Sequence, residues 1–477
     1  MGFLHGVETI ESVSGGVSVT LVKTAVVGLV GTAVGGTVND IVIVTSDRDF
    51  AQFGPAAANA TIPAALKDIF AQGPTVVQVI NVLDPAVHNT AVANEPLVLG
   101  ANDTATLAHP GVVTALPNAI LSQDGKTTYV AGTDYTLDPV NGIVTRVPTG
   151  AIKALAQLTA KYSYADPSTV TAAEIIGGVN AAGLRTGMQK FLDGYAQIGY
   201  LAKLLVAPAY STQASVAAAL ETVAGQIRAI SFRDAAAGLT VQQVIQTRGA
   251  GGNGNFYTSS ERSVLCYPYI KVFDSATNSN VLRPMSASAA GLQAAVDQRS
   301  GYWFSESNNQ IGGAIGLERS IYAMINDPNS DTNQLNAAGI TTVFASFGTG
   351  YRLWGNRSAA FPSSTQPTQF VCVRRTADVI EESLEYFTLQ YMDKPMVDAT
   401  IDAILESANG FLRKLVGDGA IVGGRAWFDT KLNPVTELEA GHIVLSYDFM
   451  PPPPAERITY KATVNVNYLS KLGASQS

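Results

Sequence analysis

The sequence predicts a multidomain chain of mixed α/β class, with both α/β and α+β parts, and three observations carry that expectation. Continuous β-branched apolar runs over 24–30 and 41–44 alternate with helix-patterned segments, as strands buried on both faces do. Residues 86–167 are instead cut into short alternating segments by turn dipeptides, the mark of a β-rich module. Near its end the chain holds a strictly alternating segment set behind four consecutive prolines, Pro451, Pro452, Pro453 and Pro454. At about 150 residues per domain, the 477 residues suggest about three domains.

Residues 7–22 read VETIESVSGGVSVTLV, where Val17, Val19 and Leu21 alternate with Ser18 and Thr20 after a Gly15-Gly16 break. This predicts an N-terminal arm, 1–23, carrying short strands. Thr61 caps a helix with Pro63 in its first turn, Leu66, Ile69 and Phe70 on one face, and Gly73 as its stop. Another buried strand covers 76–83, and Asp84-Pro85 ends this first unit. In 86–167 the turn signals are Asp124-Gly125, Asp138-Pro139 and Asn141-Gly142, while LTAKYSY sets Leu158, Ala160, Tyr162 and Tyr164 in alternation. Residues 168–344 return to mixed helix-like and strand-like stretches, at 204–207, 212–229, 264–273 and 341–347, which predicts a second α/β domain.

After GTGYRLWGNRS a strand is expected over 370–373, leading into a helix with Asp378 and Glu381 in a capping-box pattern and Ile380, Leu384, Phe387 and Tyr391 at helical spacing. A second helix over 397–416 carries Val397, Ile401, Ile404, Leu405, Ala408, Phe411, Leu412 and Leu415 on one stripe and closes at Gly417. Its early Asp398 and Asp402 and late Arg413 and Lys414 match the helix macrodipole. Strands at 420–428 and 442–449 precede the prolines, which favour a stiff polyproline conformation leading away from the domain. Beyond them Ile458, Tyr460, Ala462, Val464, Val466 and Tyr468 alternate strictly with polar residues. At about 3.3 Å per residue this strand reaches about 40 Å, far for a tail. A lone strand with an apolar face is an aggregation hazard, so it is expected to complete a sheet of another subunit.

Composition narrows the function. The 30 basic and 38 acidic residues give a net charge of −8, with no electrostatic footprint for phosphate backbones or anionic lipid. Direct nucleic-acid contact and membrane insertion are not expected. Charged residues make up 14%, against about 25% in an average soluble domain, which implies a surface covered largely by other protein. Two cysteines and four histidines supply neither a disulfide framework nor the ligands of a zinc enzyme, and a reducing compartment fits. The start, MGFLHGVETIE, lacks the basic n-region and apolar run of a signal peptide, Gly6 departs from a myristoylation motif, and 24–38 is too glycine-rich to span a bilayer.

The motifs that could carry chemistry fail on context. Gly249, Gly251 and Gly254 satisfy G-x-G-x-x-G, with Asp274 where a ribose-binding acid would lie, but LTVQQVIQTR before them reads as helix rather than strand. Gly125-Lys126-Thr127 lacks the earlier glycine of a P-loop and reads as a hairpin turn. His5, His88, His109 and His442 form no ligand pair and read as surface or strand residues, and no G-x-S-x-G elbow exists. Glu381, Glu382 and Glu385 read as solvated helix acids. Arg374-Arg375 and Arg413-Lys414 are too sparse for nucleic acid and read as surface pairs that could meet an acidic protein. No catalytic, cofactor or metal site is expected.

Several segments, in order, resemble one family: FLHGVETIE, TAVVGLVGTA, IVIVTSDRDFAQFG, TIPAALKDIFAQGPTVVQVINV, GYRLWGNRS, FVCVRRTADVIEESLEYF, NPVTELEAG and FMPPPPAERITYKATVNVNYL are similar to contractile phage tail sheath proteins. The resemblance spans both ends, while 86–340 matches in layout more than in residues. It implies a structural subunit that polymerises with itself as hexameric rings in a helical lattice around a tail tube protein, with baseplate and tail terminator proteins as further partners. Such a sheath is assembled in the host bacterial cytoplasm, becomes part of the virion tail, and contracts to drive the tube through the target envelope. The resemblance also implies a discontinuous inner domain from 24–85 and 345–450, two outward insertions at 86–167 and 168–344, and arms at 1–23 and 451–477 that add strands to a neighbour's sheet. Val17, Val19, Leu21, Ile458, Tyr460, Val464, Val466 and Tyr468 would form those strands, and Arg413 and Lys414 on the 397–416 helix would face the tube. A DNA-free pyocin-like particle or a secretion system shares this mechanism. The competing class is a cytosolic enzyme with a glycine-loop cofactor site.

Overall fold

The computed structural model describes residues 19–248 and 254–472. An eight-stranded sheet forms its centre, in the spatial order Arg352–Trp354, Ile340–Phe344, Ser263–Cys266, Ile230–Asp234, Leu204–Val206, Val26–Gly31, Val76–Asn81 and Ile41–Val44. Its inner strands run parallel and each edge strand runs antiparallel to its neighbour. Parallel strands covered on both faces must be apolar throughout, and Val26–Gly31 is buried at every position. Val27 and Leu29 join one core with the helices Ile62–Phe70 and Met285–Ser300. Val26 and Val30 join the opposite core with Val216, Leu220 and Val223 of the helix Ala214–Gln226. The two helices of the first layer cross closely at Gly291, where a Cβ would lie 2.6 Å from the Ile69 carbonyl oxygen.

The expected pairing of 24–85 with 345–450, apart from 168–344, does not hold. Val26–Gly31 lies between Val76–Asn81 and Leu204–Val206, so one sheet runs through both segments. A strand buried on both faces needs a neighbour on each edge, and its sequence pattern does not say which segment supplies the second one. From 345–450 the sheet takes only the edge strand Arg352–Trp354.

The turn-rich stretch folds as antiparallel sheets. Asn89–Val98, Gln157–Ala165, Ala119–Ser122 and Thr128–Tyr129 form one, and Thr104–Thr106, Ile143–Arg146 and Tyr135–Asp138 the other. Leu158, Ala160 and Tyr162 alternate inward with Leu97 and Val144 in its core. Gly125 turns the 119–129 hairpin at a φ of 71°, a left-handed conformation that favours glycine.

Three expected boundaries near the C-terminus move. The strand expected over 370–373 is the first turn of the helix Val371–Thr388, because Val371, Cys372 and Val373 are buried around a helix rather than on the faces of a sheet. Asp378 is therefore a mid-helix residue and not its cap. Pairing replaces capping: Asp378 accepts from Arg262 at 2.7 and 2.8 Å and from Arg374 at 2.9 Å. The next helix, Asp398–Asp418, stops at Gly419, whose φ of 79° is the left-handed end a glycine permits, and not at Gly417. It packs on the antiparallel hairpin Gly423–Phe428 and Leu445–Met450.

Candidate assembly site

The terminal hairpin pairs Arg425 with Asp448 and Ala426 with Tyr447. Alternation gives it two faces. Gly424, Ala426, Phe428, Leu445, Tyr447 and Phe449 share the inner face, and Ala426 and Phe449 pack against Ile380, Phe411, Leu412 and Leu415 of the two preceding helices. Arg425, Trp427, Ser446 and Asp448 share the outer face, where Arg425 and Asp448 approach to 3.3 Å as an exposed pair. Two asparagines fix the hairpin. Asn409 Nδ2 donates to the Ala426 carbonyl at 2.9 Å, and Asn409 Oδ1 accepts from the Ala426 N–H at 2.8 Å. Asn433, buried in the connecting loop, binds Val444 in the same two-fold way at 2.8 and 2.7 Å.

Past this hairpin the chain is anchored and then released. Pro451 is buried, and Glu456 accepts from Arg357 at 2.8 and 2.5 Å. Arg357 is itself held over the rings of Phe361 and Phe370, 4.0 and 4.8 Å from their centroids. Beyond Glu456 no side chain is buried up to Leu472, and Tyr460 and Val464 are 92% and 93% exposed. The expected strand is not paired within its own chain, and residues 466–471 close into a short 3-10 turn, so Val466 and Tyr468 are not extended here. An unpaired strand has no ladder to hold it extended. The Arg357–Glu456 anchor had no local sequence signal, because its halves lie 99 residues apart.

The N-terminal segment behaves differently. Val19 packs against the hairpin core of its own chain, Val22 N–H donates to Ser383 Oγ at 3.4 Å, and the Thr24 carbonyl accepts from Arg375 at 3.2 Å. Leu21 is exposed, and Val17 lies outside the described residues. Arg413 and Lys414 are exposed on the 398–418 helix. Lys414 pairs with Asp418 at 2.7 Å, and Arg413 has no ion pair among the described residues.

Other residues read as exposed turn out to be structural. Arg375 is buried against Asp297 at 2.5 and 2.6 Å, and Arg374 pairs with Asp378, Glu381 and Glu261. Glu382 accepts from the buried Lys203 and from Tyr195, both at 2.5 Å, and Glu385 holds Arg228. Burial pulls the Lys203 ammonium below the usual lysine range. Together these pairs tie the 371–388 helix to the Met285–Ser300 helix and to residues beside the central sheet: Arg374, Arg375 and Glu382 are buried, Glu381 is half-buried, and Glu385 stays exposed as expected of a solvated acid. Glu306 is fully buried near this network with no hydrogen-bond partner for either carboxylate oxygen, and burial pushes its pKa up to about 7.

The remaining motifs are dispersed. The helix Val241–Arg248 precedes the glycine run, of which Gly249 and Gly251 lie outside the described residues, and Asp274 is bound to Arg283 and Lys67 at 3.0 and 3.6 Å. His88 is buried and its Nδ1 accepts from the Asp84 N–H at 3.1 Å, which corrects its reading as a surface or strand residue. His109 stacks on Tyr164 at 4.0 Å and His442 lies 2.6 Å from Glu437, while His5 falls outside the described residues. Among the described residues no group of three or more His, Cys, Asp or Glu is arranged to hold a metal ion, and no helix is long and apolar enough to cross a membrane.

Residues 177–359 match the phage tail sheath protein central domain and 363–465 the phage tail sheath C-terminal domain, while 84–175 match a family of unknown function. Over 473 residues the chain is 53% identical to the tail sheath protein of Burkholderia phage BcepMu, covering 98% of each. With the tail sheath protein of Escherichia phage P2 it shares 29% identity, over 64% of this chain and 74% of that one. Among solved structures, the helical sheath of the anti-feeding prophage in its contracted state has a TM-score of 0.61 at 16% identity, over 98% of this chain and 100% of that one. The contracted PVC sheath complex of an extracellular contractile injection system gives 0.58 at 14%, over 98% and 99%. At those identities the likeness is one of fold.

Proposed function

Because the chain belongs to the phage tail sheath family, we propose that it polymerises as stacked hexameric rings around a tail tube and that its terminal arms stitch the rings together. It is a structural subunit of a contractile tail sheath. The observation that carries the arm reading is the segment after Glu456: strictly alternating, anchored at its root by Arg357, and exposed at every described position beyond. Such a strand gains stability only by pairing with a sheet edge in another copy.

The energetic logic needs no nucleotide. A flexible tether that is covalent at one end and strand-paired at the other keeps neighbours at high effective concentration while the subunit bodies rotate. Contraction is then a shift between two lattices that differ in the contacts they bury, and the arms keep the lattice connected through the change. No catalytic step is part of this reading. The partners are the tube, the baseplate and the tail terminator, and the particle is assembled in the bacterial cytoplasm as part of a virion tail.

Deleting 457–477, which leaves the Glu456 anchor in place, is expected to give a folded chain with an unchanged melting transition that fails to sediment as tubes. Tubes from the truncated chain would remove the arm from the linkage. The exposed Arg413 and Lys414 are proposed to face acidic groups of the tube. Each exposed pair contributes only about 0–1 kcal/mol, but it recurs around every ring. Exchanging both for Glu is expected to yield empty sheaths, read by electron microscopy, and normal tube-filled tails would exclude the contact.

A further inference from the structure

We propose that Glu306 is a proton-operated latch on Arg375, the side chain that holds the root of the N-terminal segment, so that this root is fastened while Glu306 is neutral and loosened when it ionises. The latch stands on contacts within one chain, and only its bearing on assembly rests on the arm reading above.

The latch is a buried cluster of one cation and two acids. Arg375, on the helix Val371–Thr388, gives both terminal nitrogens of its guanidinium to Asp297 of the helix Met285–Ser300, at 2.6 and 2.5 Å. Its Nη2 is shared, because it also donates to the Thr24 carbonyl at 3.2 Å. Gln293, one turn before Asp297, spends its Nε2 on the same carboxylate at 2.9 Å. Glu306 enters from the loop that follows the Met285–Ser300 helix, and Arg375 and Asp297 both act on its carboxyl. Cys372, on the same helix as Arg375, and Cys266, on the strand Ser263–Cys266, face it with thiols that burial raises and so keeps protonated near neutral pH. Tyr302, in the same loop as Glu306, faces Asp297. Asp378 also acts on Arg375 but is already met by Arg262 and Arg374.

Charge decides how such a cluster responds. The guanidinium balances Asp297, and neither Glu306 oxygen has a hydrogen-bond partner, so an ionised Glu306 is a second buried negative charge with no cation of its own. Burial accordingly raises its carboxyl to about 7, where it changes state near neutrality. Once it ionises, Arg375 is the cation of the cluster that can turn toward it. Arg375 holds two carboxylate oxygens and one neutral carbonyl, and attraction between opposite charges in a buried site exceeds that to a neutral acceptor. The bond to Thr24 is also the longest of the three, and it is the one that yields.

The position of Thr24 gives that bond its leverage. Thr24 joins the N-terminal segment to Val26–Gly31, which lies inside the eight-stranded sheet. Residues 19–25 have no regular structure of their own, so side-chain contacts hold them in place. Lys23 lies over the Tyr200 ring, 3.9 Å from its centroid, the Val22 N–H reaches Ser383 Oγ at 3.4 Å, and Val19 packs with Trp303 against the hairpin core. Trp303 belongs to the loop that carries Glu306, so a shift of that loop reaches the segment at a second point. If the segment joins neighbouring subunits, its root is firm below neutral pH and compliant above it.

Trypsin reads the latch, because Lys23 places a cleavage site immediately before Thr24. The full-length chain in solution would be digested briefly across the range from acid to mildly alkaline pH, with a free lysine peptide in the same tube to calibrate the protease at each pH. A carboxyl titrating at about 7 is ionised in about one molecule in ten a pH unit below that value and about nine in ten a unit above it. Cleavage after Lys23, relative to the peptide, is therefore expected to rise about tenfold across that interval. Glu306→Gln keeps a neutral side chain of the same size, and slow cleavage at every pH is expected. Asp68→Asn removes another buried carboxyl raised to about 7, one that faces Lys67, Asp274 and Arg283 instead, and should leave the rise in place. A flat response in the unaltered chain, a rise that survives Glu306→Gln, or fast cleavage of Glu306→Gln at every pH would each overturn the latch. Loss of the rise in Asp68→Asn as well would assign it to the stability of the whole fold and overturn the latch too. None of these outcomes depends on whether the arms join subunits, which sedimentation of the truncated chain decides separately.

Discussion

The strand Val26–Gly31 and the arm beyond Glu456 are both rich in β-branched apolar residues, and they end in opposite environments. Val26–Gly31 is continuously apolar and is buried at every position between two layers of helix. The arm alternates apolar with polar and is exposed along its described length. A continuous run needs two covered faces, which only the interior of a subunit provides, and an alternating run needs one, which a neighbour can supply. The pattern therefore states how many faces will be covered. It does not state by whom.

The largest expected effect lies at the buried end of this comparison. Leu29 is fully buried among Leu66, Val77 and Leu204. Leu29→Ala is expected to lower unfolding free energy by about 2–5 kcal/mol, the range for a buried leucine that leaves a cavity. Val464→Ala, at a residue 93% exposed, should leave the same denaturation curve unmoved. A comparable loss from Val464→Ala would mean that the arm belongs to its own subunit's core.

The same distinction explains what the sequence disclosed. The strands at 26–31, 41–44 and 76–81, the helix at 62–70 and the β-rich unit were legible because periodicity is local. The joining of Val26–Gly31 to Leu204–Val206 was not, because sheet order is set by long-range pairing that leaves no mark on either strand. The 370–373 segment misled for a related reason: Val371 and Val373 have strand propensity, and burial around a helix overrode it. At the candidate site the alternating pattern of 458–468 was legible as a pattern, while the roles of Arg357 and Asn409 and the pairing of Arg375 and Glu382 were not. Each of those roles depends on a partner remote in sequence.

A second, smaller effect sharpens the comparison through pH. Glu306 is fully buried and its pKa is raised from 4.5 to about 7 by burial. The folded chain therefore binds the proton more tightly than the unfolded one, so stability falls as pH rises from about 4.5 to about 7 and is flat above. A shift of that size corresponds to on the order of 3 kcal/mol. Glu306→Gln should remove this part of the slope and raise the melting temperature at pH 8. Asp68 and Asp234, whose carboxyls burial pushes up to about 7 and about 6, retain the rest. An unchanged pH profile for Glu306→Gln would show that the carboxyl is not the titrating group.

The smallest expected effect on stability, and the largest on assembly, falls on the arm. Proline removes a backbone donor and its ring crowds the preceding residue, so within a paired strand it breaks a ladder bond. In the free chain, residues 455–465 have no regular structure, so Val464→Pro and Asn465→Pro should both leave the melting transition of the monomer where it is. In the sheath they should differ. Consecutive N–H groups in a strand point to opposite sides, so only one of the two positions donates toward the receiving edge. That variant should lose tubes in sedimentation, and the other should retain them if the arm lies outermost in the shared sheet. Loss from both would mean that the arm is hydrogen-bonded on both sides, with a further strand beyond it. Retention of tubes by both would mean that 457–468 is not paired at all, and the contrast between a strand covered from within and a strand covered from without would fail.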